Sequence, residues 1–264
     1  MELNKIYNED CLQTMSKIEE NSIDLVLTSP PYNISRAKKN REYGLKECNV
    51  KYKDYADNLT NDEYREWTTK IFNQFDRILK KDGVVLYNIS YGTEQIEKAE
   101  LMWFVITDIL SKTPFTVADC IVWKKRYALP LNASPNHLTR ICEFVFVFVR
   151  KSDYYTFYRN HEVVSKSGKG QSWYNIFYNF LEAPNNDGVC KTHKATYSTT
   201  LCAKLLNIYG KRGGVCYDPF MGTGTTAIAA HRHKMQFIGS EISAEYCEYA
   251  NKRIGNELKQ LSLF

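Results

Sequence analysis

At 264 residues, with 44% hydrophobic and 14% aromatic content, the chain is long enough for one substantial α/β domain with a packed core. Its longest apolar runs, such as Phe144 to Val149, are far too short to span a bilayer, and MELNKIYNEDC lacks a basic segment followed by an apolar one, so no membrane span is expected and a cytoplasmic enzyme is. Eight cysteines without a CxxC pair or a His/Cys cluster argue against a zinc site and against a disulfide framework, so no metal is expected.

The first apolar run, Ile23 to Leu27, reads as a buried strand and leads straight into TSPPYN, Thr28 to Asn33. Neither proline can donate a backbone hydrogen bond, and each biases its predecessor away from helix, so the chain is held stiff at the strand end. Next comes the charge. Between Ile34 and Lys53 lie seven basic residues against two acidic ones, a net +5 equal to that of the whole chain. With its interleaved tyrosines this stretch reads as a mobile basic loop, 34–58, able to grip a phosphate backbone through Arg36, Lys38, Lys39 and Arg41; a solvated surface loop is the alternative from charge alone.

Beyond it, Asn61 to Leu79 has helical periodicity, with Thr60 or Asn61 as cap and Glu63 close behind. Strands are predicted at Val84 to Ile89, Val117 to Trp123, Phe144 to Val149, Val215 to Tyr217 and Phe237 to Ile238, and helices at Glu94 to Leu110, Ser198 to Tyr209 and Thr225 to His233. Such alternation argues for a sheet covered by helices on both faces. Residues 151–194, rich in Tyr, Ser, Gly and Asn, read as an insertion on that core.

The second informative stretch is VCYDPFMGTGTTAIAAHRHKMQFIGSEIS. Gly222, Gly224 and Ala227 fit a G-x-G-x-x-G/A turn between strand and helix, and Glu241 follows at the next strand end, placed to accept hydrogen bonds from ribose hydroxyls. The reading is a nucleoside-containing cofactor. On spacing alone a tight strand-to-helix turn is the alternative. A nicotinamide enzyme is another, although there the loop usually sits near the start of its domain.

Together, Ser29-Pro30-Pro31-Tyr32 and Asp218 to Thr226 resemble the paired signatures of S-adenosylmethionine-dependent DNA amino-methyltransferases, which act on exocyclic nitrogens of cytosine (N4) or adenine (N6). With the catalytic motif first and the cofactor loop last, the chain looks like the permuted β group of that family. NEDCLQTM, W-K-K, CEFVFVFV and H-K-A-T-Y extend the resemblance over nearly the whole chain. It implies a doubly wound seven-stranded mixed sheet of the class I methyltransferase type, with an antiparallel hairpin at one edge and a small target-recognition insertion, here 151–194. The strands ending at Thr28 and Tyr217 would lie side by side.

The resemblance also assigns roles. The Ser29 hydroxyl and the Pro30 carbonyl would accept hydrogen bonds from the target amine, Pro31 would stiffen the loop, and Tyr32 would stack on a flipped base. Thr28, Asp218, Phe220, Gly222, Gly224, Thr225 and Glu241 would line the S-adenosylmethionine site. Asp10 would lie near the adenine edge, unless it is a helix cap, and His193 and Lys194 would approach the methionine end, unless they simply cap the next helix. Serine in the first motif position is more typical of cytosine-N4 transfer, and aspartate of adenine-N6. The expected partner is double-stranded DNA, beside a cognate restriction endonuclease, with the protein a monomer or homodimer. Arg159, Lys166, Lys169, Gln171 and Trp173 are the candidates for reading flanking bases.

Overall fold

The computed structural model describes residues 1–33, 59–92, 96–127, 136, 138–188 and 197–261. In chain order these form β1 (Lys5–Tyr7), α1 (Cys11–Lys17), β2 (Ile23–Thr28), α2 (Asn61–Ile78), β3 (Leu79–Ile89), α3 (Ile96–Lys112), β4 (Phe115–Lys125), β5 (Cys142–Arg150), β6 (Val163–Lys166), β7 (Ser172–Tyr174), β8 (Phe180–Ala183), α4 (Thr199–Tyr209), β9 (Val215–Asp218), α5 (Thr225–Arg232), β10 (Gln236–Ser240) and α6 (Ala244–Leu261).

Eight of the described strands build one mixed sheet in the order β1-β10-β9-β2-β3-β5-β4-β8. β5 runs antiparallel to both its neighbours, while the remaining neighbouring pairs are parallel. Alternation along each central strand divides two cores: Leu25, Leu27, Val84, Leu86 and Cys216 face α4, α5 and α6, while Val26, Val85, Tyr87 and Tyr217 face α1, α2 and α3. Because both faces are covered, β2 is buried at every position and reads as a continuous apolar run.

The doubly wound mixed sheet agrees with expectation, and Leu25 and Val26 pair with Cys216 and Tyr217 as foreseen. The strand count does not. Eight strands stand where seven were expected, because β8, inside the stretch read as an insertion, adds in parallel to β4 and leaves the β4–β5 pair away from the edge. Of that stretch, β6 and β7 form a separate two-stranded ribbon. Among the described residues no helix is long and apolar enough to cross a membrane.

From β2 the chain moves one way to β3, and from β9 it moves the other way to β10. The boundary between β2 and β9 is therefore a topological switch point, and the crevice outside its strand ends is where open α/β sheets take ligands.

Candidate active site

Two loops meet at that boundary. Thr28, the last residue of β2, donates from Oγ1 to Asp218 Oδ1 at the end of β9, 2.8 Å away. Asp218 also accepts from Thr226 Oγ1 at 2.6 Å, the Phe220 amide at 3.0 Å and the Tyr197 hydroxyl at 3.1 Å. Burial pushes its carboxyl above the ordinary carboxylate range, against the pull of those donors. Four donors fill the acceptor capacity of a carboxylate. Asp218 and Thr28, both expected at the cofactor site, tie the two strand ends and the start of α5 together.

The glycine turn itself is left-handed at Gly222 (φ 52°) and Gly224 (φ 83°), a conformation that costs glycine little. A Cβ at Gly224 would meet Ala250 Cβ of α6 at 3.1 Å. Close packing on α6 and the left-handed φ both act against a side chain there. Thr225, also expected at the cofactor, accepts from Arg253 of α6 at 3.1 Å. Glu241, at the end of β10, accepts the Gly222 amide on Oε2 at 2.8 Å and the Ser243 amide on Oε1 at 2.9 Å, so it braces the turn. Phe220 packs against Trp67, ring centroids 5.4 Å apart. Asp10 caps α1, its Oδ1 accepting the Leu12 amide at 2.8 Å.

The proline loop is pinned from α2. The Tyr64 hydroxyl donates to the Pro31 carbonyl at 2.6 Å, and Asn33, left-handed at φ 54°, donates from Nδ2 to the Leu59 carbonyl at 2.8 Å. Between these anchors Ser29 and Tyr32 face a polar cluster. The Tyr32 hydroxyl donates to Glu143 Oε2 at 3.1 Å and lies 3.2 Å from Ser29 Oγ. Asn88 Nδ2, from the end of β3, reaches Tyr32 Oη at 2.8 Å, Glu143 Oε2 at 3.1 Å and Ser29 Oγ at 3.3 Å. Lys125, the last residue of β4, forms an ion pair with Glu143 Oε1.

Tyr64, Asn88, Lys125 and Glu143 were not singled out from the sequence. A signal existed for two of them. Asn88 is a lone amide in the buried strand VVLYNI, and Glu143 a lone carboxylate opening the apolar FVFVFV. Polar groups set among buried apolar ones need partners, and here they find them in one another at the strand ends.

Arg36, Lys38, Lys39 and Arg41, and likewise His193 and Lys194, lie outside the described residues. Arg159, Lys166, Lys169, Gln171 and Trp173 are exposed on and around the β6–β7 ribbon, with Tyr174, Ile176 and Tyr178. Among the described residues no His, Cys, Asp and Glu cluster could hold a metal ion.

A family model described as DNA methylase (N6_N4_Mtase) matches residues 23–252. Among curated relatives, the Type II methyltransferase M.BglII of Bacillus subtilis is 27% identical over 279 residues, spanning 97% of this chain and 70% of that protein. The DNA adenine methyltransferase YhdJ of Escherichia coli (strain K12) is 25% identical over 270 residues, spanning 96% of this chain and 83% of that protein. Among solved structures, the cytosine-N4-specific PvuII DNA methyltransferase superposes with a TM-score of 0.70 at 19% identity, over 93% of this chain and 84% of that one. The M1.HpyAVI–SAM complex gives 0.59 at 22% identity, over 94% and 98%. With the family match running from β2 through the glycine turn into α6, the chain belongs to the S-adenosylmethionine-dependent DNA amino-methyltransferases.

Proposed function

We propose that this protein transfers a methyl group from S-adenosylmethionine to N4 of a cytosine flipped out of double-stranded DNA, as the site-specific modification partner of a restriction endonuclease. The observation that carries the proposal is the half-buried Ser29 hydroxyl, set in a polar cluster and joined to the glycine turn through Thr28 and Asp218.

The residues present fit the cofactor. Two buried hydroxyls have no partner among the described residues, Thr223 in the glycine turn and Ser243, whose amide is held by the Glu241 carboxylate, and a ligand bearing hydroxyl and amino groups would satisfy them. Glu241 and Phe220 would hold the nucleoside, with Asp10 near the adenine edge and Gly222 shaping the turn. Once bound, the cofactor supplies an electrophilic sulfonium methyl.

The chain's own work is on the nucleophile. An aromatic exocyclic amine is poorly nucleophilic because its lone pair is delocalised, and acceptors fixed at its hydrogens favour the geometry needed for attack. Ser29 Oγ and the Pro30 carbonyl would be those acceptors. The proline pair and the Tyr64 anchor on the Pro31 carbonyl hold the loop that carries them. Flipping costs a few kcal/mol of unstacking, and a base stacked on the Tyr32 ring would recover about 1–3 kcal/mol. Basic residues of the 34–58 segment would supply sequence-independent phosphate contacts. The exposed aromatic and polar residues of the β6–β7 region would read flanking bases.

Adenine-N6 transfer is the second reading, favoured by the relation to YhdJ. Serine at position 29 supports cytosine. Labelled-methyl transfer to duplex DNA and to RNA tests the substrate class: transfer to DNA that Ser29→Ala slows by about 10²-fold or more is expected, and transfer confined to RNA would overturn the proposal.

A further inference from the structure

We propose that Glu143 is a positioning residue whose carboxylate sets the direction of a hydroxyl chain, so that Ser29 offers the target amine an acceptor and not a hydrogen. This rests on the reading of Ser29 as the acceptor for that amine. A serine hydroxyl can do either, because it carries one hydrogen and two lone pairs. A rotor turned the wrong way would place its hydrogen against the amine hydrogens.

The direction follows from counting hydrogens. Glu143, paired with Lys125, is a carboxylate and accepts only. The Tyr32 phenol has one hydrogen and gives it to Glu143 Oε2 at 3.1 Å. In its 3.2 Å contact with Ser29 the phenol oxygen must therefore accept, so the serine hydrogen points to Tyr32. Asn88 agrees with this. Its Nδ2 carries two hydrogens, and the nearer acceptors are Tyr32 Oη at 2.8 Å and Glu143 Oε2 at 3.1 Å, with Ser29 Oγ farther off at 3.3 Å, while its Oδ1 is buried with no partner among the described residues. That orphan is the cost of turning the amide nitrogen toward the carboxylate. Rotating the amide would satisfy nothing at Glu143 and would set two acceptors against each other. With its hydrogen committed to Tyr32, Ser29 keeps at least one lone pair for the incoming amine.

An aspartate at position 29 accepts without such help, which supplies a test that simple misfolding does not mimic. Single-turnover methyl transfer to duplex DNA and calorimetric affinity for S-adenosylmethionine are measured for wild type, Glu143→Gln, and Glu143→Gln combined with Ser29→Asp. Glu143→Gln is expected to slow transfer about 100-fold, the scale of losing one aligned catalytic contact, with cofactor affinity unchanged. Adding Ser29→Asp is expected to recover about tenfold or more of that loss, because neighbouring residues acting on one event are not additive. Should Glu143→Gln not fold, Tyr32→Phe removes the same link and is expected to reproduce the slow transfer. Near-wild-type transfer by Glu143→Gln or by Tyr32→Phe, or no gain from Ser29→Asp, overturns the proposal. Wild-type protein that transfers nothing to DNA overturns the reading of Ser29 itself, and this proposal with it.

Discussion

Gly224 illustrates how far a motif can be trusted. Its spacing suggested a backbone kept bare for a ligand, and the structure adds two constraints of its own: a left-handed φ and an ideal Cβ position 3.1 Å from Ala250 Cβ. The turn was legible because glycine spacing reports backbone conformation. Its neighbour was not, because the chain ending of α6 carries no motif. Gly224→Ala should therefore lower stability by about 1–3 kcal/mol, the usual cost of a forced left-handed residue, with the urea midpoint shifted at constant m. Ser29 is the opposite case. Ser29→Ala deletes one small acceptor in a pocket braced from elsewhere, so single-turnover transfer should fall by about 10²-fold or more while cofactor affinity holds. Equal losses in both would mean that Ser29 shapes the cofactor site instead.

α2 does for the proline loop what Asp218 does for the strand ends. Its start was readable, since Thr60 and Glu63 form a capping box with the Glu63 amide 3.2 Å from Thr60 Oγ1 and the Thr60 amide 2.8 Å from Glu63 Oε2. Thr60→Ala should cost about 1 kcal/mol of stability by chemical denaturation. The contacts that make α2 useful are tertiary and were not readable: Tyr64 on the Pro31 carbonyl, and Arg65 on Asp108 of α3 at 2.8 and 3.0 Å. Burial pushes the Asp108 carboxyl up, but Arg65 and Lys112 win and hold it below the ordinary carboxylate range. A folded value below the unfolded one adds stability above about pH 4 that is lost as pH falls through the folded value. Asp108→Asn should thus lower the melting temperature at neutral pH and flatten its decline in acid. A decline as steep as wild type would place the acid sensitivity elsewhere. Short elements were the other blind spot. KIY and FLEA, which become β1 and β8, are too brief for periodicity to register, and β8 lay inside a stretch whose composition reads as loop.

Across the molecule, the order of motifs proved more informative than either motif alone. A proline loop early in the chain and a glycine turn late in it become neighbours because β2 and β9 pair in parallel at the switch point. Charge acts at the same range. The net +5 of the chain is matched by the 34–53 segment alone, so neutralising Lys38, Lys39 and Arg41 together should weaken DNA binding across sequences and flatten its salt dependence, with cofactor affinity unchanged. An unaltered salt slope would assign phosphate contact to other residues. The account as a whole turns on which nitrogen receives the methyl group. Duplex DNA incubated with the protein and S-adenosylmethionine, digested to nucleosides and analysed by mass spectrometry, should yield N4-methylcytosine with the wild type and far less with Ser29→Ala over the same time. N6-methyladenine in its place, or no methylated nucleoside at all, would contradict it.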